Sequence, residues 1–235
     1  MQPQTPSSQP IGFAALRRDF WLKAAFGMPC IVVFSGIFKW LQLYPQSEPL
    51  MWDWCPFWDL IPFHTAWTWP YLALFPLIGV AWMMQPGWRE MLRFFGAMLA
   101  AGAVAWSSFL LWPTGSVRPA LTEIPWYYQA LIAADAPLNS IPCLHAAFSV
   151  VATTALLHGA LRAARGWRIV GWLFVAMICL AAIALRQHSD FDVLGGLVLG
   201  GVSAWGYRRS FVRDVETAAE PESEIEGVAE VPARD

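Results

Sequence analysis

The sequence predicts an all-α protein, a polytopic membrane bundle of six transmembrane helices. Of its 235 residues, 57% are hydrophobic and 14% are charged, whereas a soluble domain has about 25% charged residues. Six stretches reach the roughly 20 mostly apolar residues that a membrane-spanning helix needs. These predicted spans cover about residues 22–43, 67–84, 92–112, 143–162, 168–187 and 190–207.

Charge and cysteine content narrow the functional classes. The chain has 15 basic and 17 acidic residues, so its balance predicts no basic patch for nucleic acid. Its four cysteines lack the close spacing of zinc or redox motifs. They are Cys30, Cys55, Cys143 and Cys179. A soluble domain, a nucleic-acid-binding protein and a disordered chain are therefore not expected.

The positions of the cations predict the orientation of the bundle. Cytoplasmic loops of membrane proteins are enriched in Lys and Arg, and eleven cations fall on one side of the six predicted spans. They are Arg17, Arg18, Lys23, Arg89, Arg93, Arg162, Arg165, Arg168, Arg208, Arg209 and Arg213. Both termini are therefore expected in the cytoplasm, with loops 44–66 and 113–142 on the outer side. Residues 21–210 form the predicted membrane catalytic domain, between a disordered segment 1–20 and a disordered acidic tail 211–235.

Two polar clusters stand where the third predicted span ends and the fourth begins. An ionisable residue inside a membrane costs about 2.5–3.5 kcal/mol, so its presence there suggests a function. The first cluster contains Arg118, and the second contains His145. Asn139 or Ser140 is expected to cap the fourth helix, with Pro142 in its first turn. The free N–H groups of residues 143–145 would then form an anion site beside the imidazole. Taken alone, each cluster is also typical of polar residues at the edge of a membrane.

A third cluster, Leu185–Gly196, places Arg186, His188, Asp190 and Asp192 between two apolar stretches. His188 and Asp192 are four residues apart, so on a helix they share one face. The carboxylate can hold one imidazole nitrogen and leave the other free as a nucleophile or base. The glycines that follow, at 195, 196, 200 and 201, predict close helix packing nearby.

Together the three clusters resemble the type 2 phosphatidic acid phosphatase superfamily. Its three motifs appear in order as Arg118-Pro119, Pro142-Cys143-Leu144-His145 and His188-x-x-x-Asp192-Val193. Two flanking segments look closer to the aureobasidin-resistance and inositol phosphorylceramide synthase branch. They are Asp135-Ala-Pro-Leu-Asn139 and Arg186-Gln-His188.

The sequence departs from the superfamily's motifs at three positions. Leu111 stands where a Lys is usual, Cys143 replaces the Ser of the second motif, and Ala182 replaces the usual Arg of the third. Fewer cations and one hydroxyl fewer imply a different phosphate geometry, a weaker enzyme or a lapsed one.

The resemblance implies a lipid-phosphate phosphatase or phosphotransferase that needs no cofactor or metal. His188 would attack phosphorus and form a phosphohistidine, Asp192 would orient its ring, and His145 would act as general acid and base. Phosphate would be bound by Arg118, Arg186 and the backbone N–H groups of Cys143 and Leu144. The partners implied are a lipid phosphate, membrane lipids and a hydroxyl acceptor such as inositol, a sugar or another lipid.

Other interpretations stay open at this point. A catalytically lapsed lipid-phosphate binder or transporter would have the same fold. A membrane metalloenzyme would use His145, His188 and Asp192 as a two-His, one-carboxylate site. The loop 44–66 is expected either to hold an acceptor or to lie on the membrane surface. Compact size, abundant Ala, Arg and Trp, and few Lys favour a bacterial inner membrane with the site facing the periplasm.

Overall fold

The computed structural model of the protein describes residues 20–121, 123–159 and 165–219. Its elements are almost all helical. The helices are α1 (Phe20–Leu43), α2 (Pro56–Leu60), α3 (Thr68–Leu72), α4 (Leu74–Met83), α5 (Trp88–Leu111), α6 (Trp126–Ala134), α7 (Leu144–His158), α8 (Arg165–Ala184) and α9 (Asp190–Ala219). A 3-10 turn (Thr65–Trp67) precedes α3, and two short strands are β1 (Leu50–Trp52) and β2 (Thr114–Ser116).

The predicted membrane protein is confirmed, whereas the count of six spans is not. Within the described residues, four helical stretches are long and apolar enough to cross a membrane: Phe20–Leu43, Thr65–Met83, Trp88–Leu111 and Arg165–Ala184. The second of these is broken into a 3-10 turn, α3 and α4. Helix α7 is apolar but has only 15 residues, so it is shorter than the roughly 20 residues that span a membrane.

Helix α7 is the centre of the bundle. It packs against α4, α5, α8 and α9, and most of its residues are buried. This explains why its hydrophobic residues surround the whole helix instead of forming one stripe. Because α7 is enclosed by protein, the residues at its N-terminus lie inside the bundle end.

Close contact between α7 and α9 depends on small residues, as the sequence predicted. A Cβ atom built on Gly196 would lie 2.2 Å from the Cys143 carbonyl oxygen, and one on Gly200 would lie 2.6 Å from that of Ala147. Gly195 has only ordinary contacts, and Gly201 has none within 4 Å. Two of the four predicted glycines therefore allow the close approach.

The two strands tie the loops together at one end of the bundle. β1 pairs in parallel with β2, with Met51 opposite Gly115. Gly115 also bridges to Leu138, and a Cβ there would lie 2.2 Å from the Pro137 carbonyl oxygen. Only glycine fits between these strands of backbone. The segments that precede α2, α6 and α7 are thereby held against each other.

Several predicted boundaries are corrected by the structure. α7 ends at His158 and not near 162, and α8 begins at Arg165 and ends at Ala184. α9 continues to Ala219, beyond the predicted start of the disordered tail at 211. The rest of that tail and residues 1–19 lie outside the described residues.

Candidate active site

His188 lies in a tight turn between α8 and α9. The chain leaves α8 through Arg186, whose φ of 56° is in the left-handed region, which glycine usually occupies after a helix. The carbonyl oxygen of Ala182 accepts the N–H groups of Gln187 and His188 at 3.1 and 3.2 Å. Ser116 also donates its hydroxyl to the carbonyl oxygens of Arg186 and Gln187. The backbone around the imidazole is therefore fixed from both sides.

The imidazole of His188 is held by a main-chain carbonyl group. Its Nδ1 lies 3.1 Å from the carbonyl oxygen of Ser140, so Nδ1 carries the proton and Nε2 keeps its lone pair. The residue is buried, with 7% exposed. Burial, reinforced by the nearby His145, lowers the pKa of His188 to about 3. The ring is thus neutral at pH 7, the state that a nucleophile requires.

Asp192 is close to His188, although it does not form the hydrogen bond that orients the ring. The distance from Asp192 Oδ2 to His188 Nδ1 is 3.9 Å, beyond hydrogen-bond length. Oδ2 instead accepts the Ser189 N–H at 2.7 Å, while Ser189 Oγ accepts the Asp192 N–H at 3.2 Å. This is a capping box at the start of α9, with Asp in the place of the usual Glu. The orienting contact of the ring comes from Ser140.

His145 stands next to His188 at the N-terminus of α7. The centroids of the two imidazole rings are 6.2 Å apart. His145 stacks on Tyr71 with ring centroids 3.8 Å apart and an angle of 20° between the planes. Its Nε2 is buried and has no partner among the described residues. A free ring nitrogen beside a free nucleophile is the arrangement that a general acid and base needs.

Arg118 reaches the same place from the loop after β2. Its Nη2 donates to the carbonyl oxygen of Asp135 at 2.5 Å and to Oε1 of Gln187. Burial lowers the pKa of Arg118, and the Asp135 carboxylate opposes that shift. A guanidinium remains charged even so. Its Nε and the Nε2 amide of Gln187 are buried without partners in the part of the chain described.

These unpartnered groups share one chemical character. Arg118 Nε, Gln187 Nε2 and the hydroxyl of the fully buried Ser140 can all donate hydrogen bonds. A buried polar group left without a partner costs about 1–3 kcal/mol. A cluster of unsatisfied donors around a cation and two imidazoles is suited to an oxyanion, which would satisfy them.

Arg186 does not join this cluster. Its Nη2 donates to the carbonyl oxygens of Trp58, at 2.5 Å, and Ile61, at 3.4 Å. Its guanidinium carbon lies 5.1 Å from the centre of the Trp58 ring. The side chain therefore holds the short helix α2 against the bundle end through Nη2, while Nη1 is buried without a partner among the described residues. Its role as a phosphate ligand stays a prediction.

The prediction that the backbone N–H of Cys143 is free is wrong. That N–H donates to the Asp192 carbonyl oxygen at 2.9 Å, because the close packing of α9 on α7 brings the two backbones together. The predicted cap is also displaced, since Cys143 and neither Asn139 nor Ser140 precedes the first helical residue. Leu144 begins α7, so its N–H is one of those that a helix leaves without an internal partner.

Two of the three departures from the expected motifs, Leu111 and Ala182, have clear structural settings. Leu111 is 82% exposed, so the side chain at this position points away from the bundle. Ala182 is fully buried beneath the turn that carries His188. Neither position brings a cation to the imidazoles, and Arg118 is the cation that the structure places beside Gln187.

Gln187, Asp135, Tyr71 and the carbonyl group of Ser140 were not among the site residues predicted from the sequence. Gln187 and Asp135 lie in the two segments that flank the motifs, although nothing in their spacing marked them as site residues. Tyr71 lies in an apolar span, where a tyrosine is ordinary. Tyr71 and Asp135 are 64 residues apart in the sequence, and Arg118 and Gln187 are 69 apart. No local sequence pattern reveals contacts over such separations.

The proposed metal alternative has no geometric support. Among the described residues, no group of three or more His, Cys, Asp and Glu side chains is arranged to hold a metal ion. His145, His188 and Asp192 therefore do not form the two-His, one-carboxylate set.

The fold is that of an integral membrane helical protein, and one bundle end holds two imidazoles beside a guanidinium and buried donors without partners among the described residues. The match to a family model covers residues 90–216 and identifies the PAP2 superfamily. The chain belongs to this superfamily. Comparisons with curated proteins and with solved structures gave no match. The superfamily resemblance is thus confirmed, and the match does not extend to the inositol phosphorylceramide synthase branch.

Proposed function

We propose that the protein transfers a phosphoryl group from a lipid phosphate to water or to a hydroxyl acceptor. The observation that carries this proposal is the pair of imidazoles, His145 and His188, whose ring centres are 6.2 Å apart. Beside them are a guanidinium and several buried donors without partners. Members of the PAP2 superfamily are generally phosphatases or phosphotransferases. The helical membrane fold supports a substrate that resides in lipid.

In the first half-reaction His188 Nε2 attacks phosphorus. The N–P bond forms as the bond from phosphorus to the lipid oxygen breaks, and protonated His145 gives its proton to the departing alkoxide. The positive charge that develops on the His188 ring is stabilised through its Nδ1–H bond to Ser140. In the second half-reaction His145 takes a proton from water or an acceptor hydroxyl. That oxygen attacks phosphorus, and the N–P electron pair returns to Nε2.

The phosphoryl oxygens need donors while charge is redistributed on them. Arg118 supplies a fixed positive charge, and Gln187 Nε2 and Ser140 Oγ supply neutral donors. The N–H of Leu144 adds the positive end of the α7 dipole. Two neutral donors would thus compensate for the cations that are missing at Leu111 and Ala182. Arg186 becomes a phosphate ligand only if α2 releases it.

Whether the acceptor is water or an alcohol depends on what occupies the space beside the phosphohistidine. Asp135 and the Arg186-Gln187-His188 segment resemble the inositol phosphorylceramide synthase branch. Asp135 and Gln187 belong to the proposed site, because both contact Arg118. An acceptor hydroxyl such as inositol, a sugar or a lipid alcohol is therefore included in the proposal.

We place the site at the outer face of a membrane, as in a bacterial inner membrane with a periplasmic site. The distribution of cations supports this orientation, since loops rich in Arg stay in the cytoplasm. Ser47 is exposed in the loop after α1, and Gly166 is exposed in the first turn of α8, at the opposite predicted side. In intact cells a membrane-impermeant maleimide should label a Ser47→Cys variant and spare Gly166→Cys. The reverse labelling would invert the topology.

The decisive experiment measures phosphate release from a panel of lipid phosphates by the purified protein, with His188→Ala in parallel. Metal-independent release that vanadate blocks and the substitution abolishes is the expected result. Transfer of labelled phosphate to an added alcohol, without release, would identify a transferase. Saturable binding of a lipid phosphate with neither reaction would overturn the catalytic proposal in favour of a lapsed binder.

A further inference from the structure

We propose that Tyr71 and Asp135 are positioning residues that hold His145 for proton transfer. This inference rests on the proposed function, in which His145 is the general acid and base. Tyr71 lies in α3, outside the region matched to the family, and Asp135 follows α6. Neither residue belongs to the three motifs.

The ring of His145 is held by packing against aromatic side chains. Its Nε2 has no partner among the described residues, so hydrogen bonding does not fix the plane of the ring through that atom. The plane is fixed by packing: Tyr71 covers one face at 3.8 Å between ring centres, and Phe75 meets the ring edge-on at 6.1 Å. This arrangement leaves the nitrogen free to meet a leaving oxygen.

Tyr71 is held in turn by Asp135. It is buried, with 1% exposed, and its hydroxyl donates to Asp135 Oδ2 at 2.8 Å. The other oxygen, Oδ1, accepts a hydrogen bond from Gln42 Nε2 of α1 at 2.8 Å. Both carboxylate oxygens are therefore engaged, and the phenol cannot slide without breaking a charge-assisted bond.

Asp135 also links this support to the phosphate cluster. The main-chain oxygen of Asp135 accepts a hydrogen bond from Arg118 Nη2. One residue thus restrains the guanidinium through its carbonyl group and the acid-base imidazole through the Tyr71 ring. When phosphate binds Arg118, the position of His145 relative to phosphorus is set by the same residue.

The stack also suits the protonated form of His145. The face of a tyrosine ring attracts a cation that lies over it. A carboxylate that accepts a hydrogen bond from the phenol hydroxyl adds electron density to that ring. Imidazolium formed during the reaction is thereby stabilised without a direct ion pair. A direct contact with Asp135 would instead occupy the nitrogen that must deliver the proton.

The test compares two substrates that differ in their need for a general acid. An alkyl phosphate releases a basic alkoxide that must be protonated, whereas p-nitrophenyl phosphate releases an anion that is stable without a proton. In Tyr71→Phe and Asp135→Asn, kcat/KM for the alkyl phosphate should fall about tenfold. The value for p-nitrophenyl phosphate should stay within about twofold. An equal loss for both substrates, or no loss for either, would overturn the proposal.

Tyr127→Phe is the matched control. Tyr127 is a nearby tyrosine whose hydroxyl pairs with Thr65 Oγ1 at 3.1 Å, and among the described contacts its ring packs on Trp69 and Trp126 instead of on a histidine. Removing this hydroxyl should leave the ratio of the kcat/KM values for the two substrates unchanged.

A second measurement tests the positioning without catalysis. Diethyl pyrocarbonate modification of His145, followed by peptide mass spectrometry with the exposed His64 as internal reference, reports how freely the ring moves. The rate should rise about threefold in Tyr71→Phe and further in Tyr71→Leu, because the covering ring is loosened and then removed. An unchanged rate would overturn the positioning role. If the wild-type protein hydrolyses neither substrate, the proposed function fails, and this rate alone decides the inference.

Discussion

The imidazole of His188 and the main-chain carbonyl group of Ser140, 48 residues apart in sequence, meet at 3.1 Å. This contact assigns the proton to Nδ1 and leaves Nε2 as the reactive atom. In many enzymes a carboxylate does this work. Here the nearby carboxylate of Asp192 is committed to capping α9, so ring orientation and helix capping are separate tasks.

The first prediction separates those tasks. Asp192→Asn retains an oxygen that can accept the Ser189 N–H, and it leaves the Ser140 contact intact. We expect the stability of this variant to be close to that of the wild type. Its activity should fall about tenfold, because only the negative charge is lost. Where a carboxylate orients the ring, the same substitution lowers activity about 10⁴-fold. Asp192→Ala removes the cap and should cost about 1 kcal/mol of stability. Thermal unfolding and phosphate release measure the two effects. A loss near 10⁴-fold in the stable Asn variant would contradict this division.

The second prediction concerns the pH dependence of stability. Burial holds the pKa of His188 at about 3 in the folded protein, whereas an unfolded histidine titrates near 6.5. The unfolded state binds the extra proton between these values, so His188 contributes stability that is complete above pH 6.5 and is lost as pH falls towards 3. The slope approaches about 1.4 kcal/mol per pH unit.

The control for this pH effect is a second histidine variant. His188→Gln should unfold with a weaker pH dependence than the wild type between pH 6.5 and 4.5. His64→Gln alters an exposed histidine and should retain the wild-type slope. Thermal midpoints in one detergent at several pH values give the comparison. Parallel curves for the wild type and His188→Gln would refute the prediction.

Composition was enough to predict a helical membrane bundle, because apolar stretches of spanning length have few other uses. The number of spans was harder to predict, since an apolar stretch such as 143–162 is equally typical of a helix buried by its neighbours. α7 is such a helix, shortened to 15 residues and packed against four others. Hydropathy does not distinguish burial in protein from burial in lipid.

The site was predicted in part. Residue type and order brought Arg118, His145 and His188 into consideration, and the structure brings the two histidines together. The supporting contacts depend on backbone geometry that sequence spacing does not encode. The left-handed turn at Arg186 points its side chain to Trp58, and the packing of Gly196 on Cys143 uses up the Cys143 N–H. Both contacts come from tertiary packing.

The third prediction distinguishes the two arginines. Arg118 contacts Gln187 beside the imidazoles, whereas Arg186 binds the carbonyl oxygens of α2 and the residue after it. Arg118→Lys loses the planar fork and should weaken vanadate inhibition about 100-fold. Arg186→Lys should change it less than about threefold, because its contacts are with the protein backbone. Inhibition constants for vanadate under identical conditions are the measurement. Equal weakening in both variants would return Arg186 to the phosphate site.

The last prediction uses two glycines on one helix. A Cβ at Gly196 would lie 2.2 Å from the Cys143 carbonyl oxygen and 2.9 Å from the Ala146 Cβ, and rigid backbone cannot yield to it. Gly196→Ala should therefore push α9 from α7 and cost about 1–3 kcal/mol or more. It should also disturb His188, which lies in the turn just before that helix. Gly201→Ala meets nothing within 4 Å and should be neutral or stabilising by up to about 1 kcal/mol, since alanine favours the helix. Thermal midpoints and phosphate release of the two variants test the packing. If both alanine variants retained wild-type stability and activity, α9 would not depend on the close approach for its position.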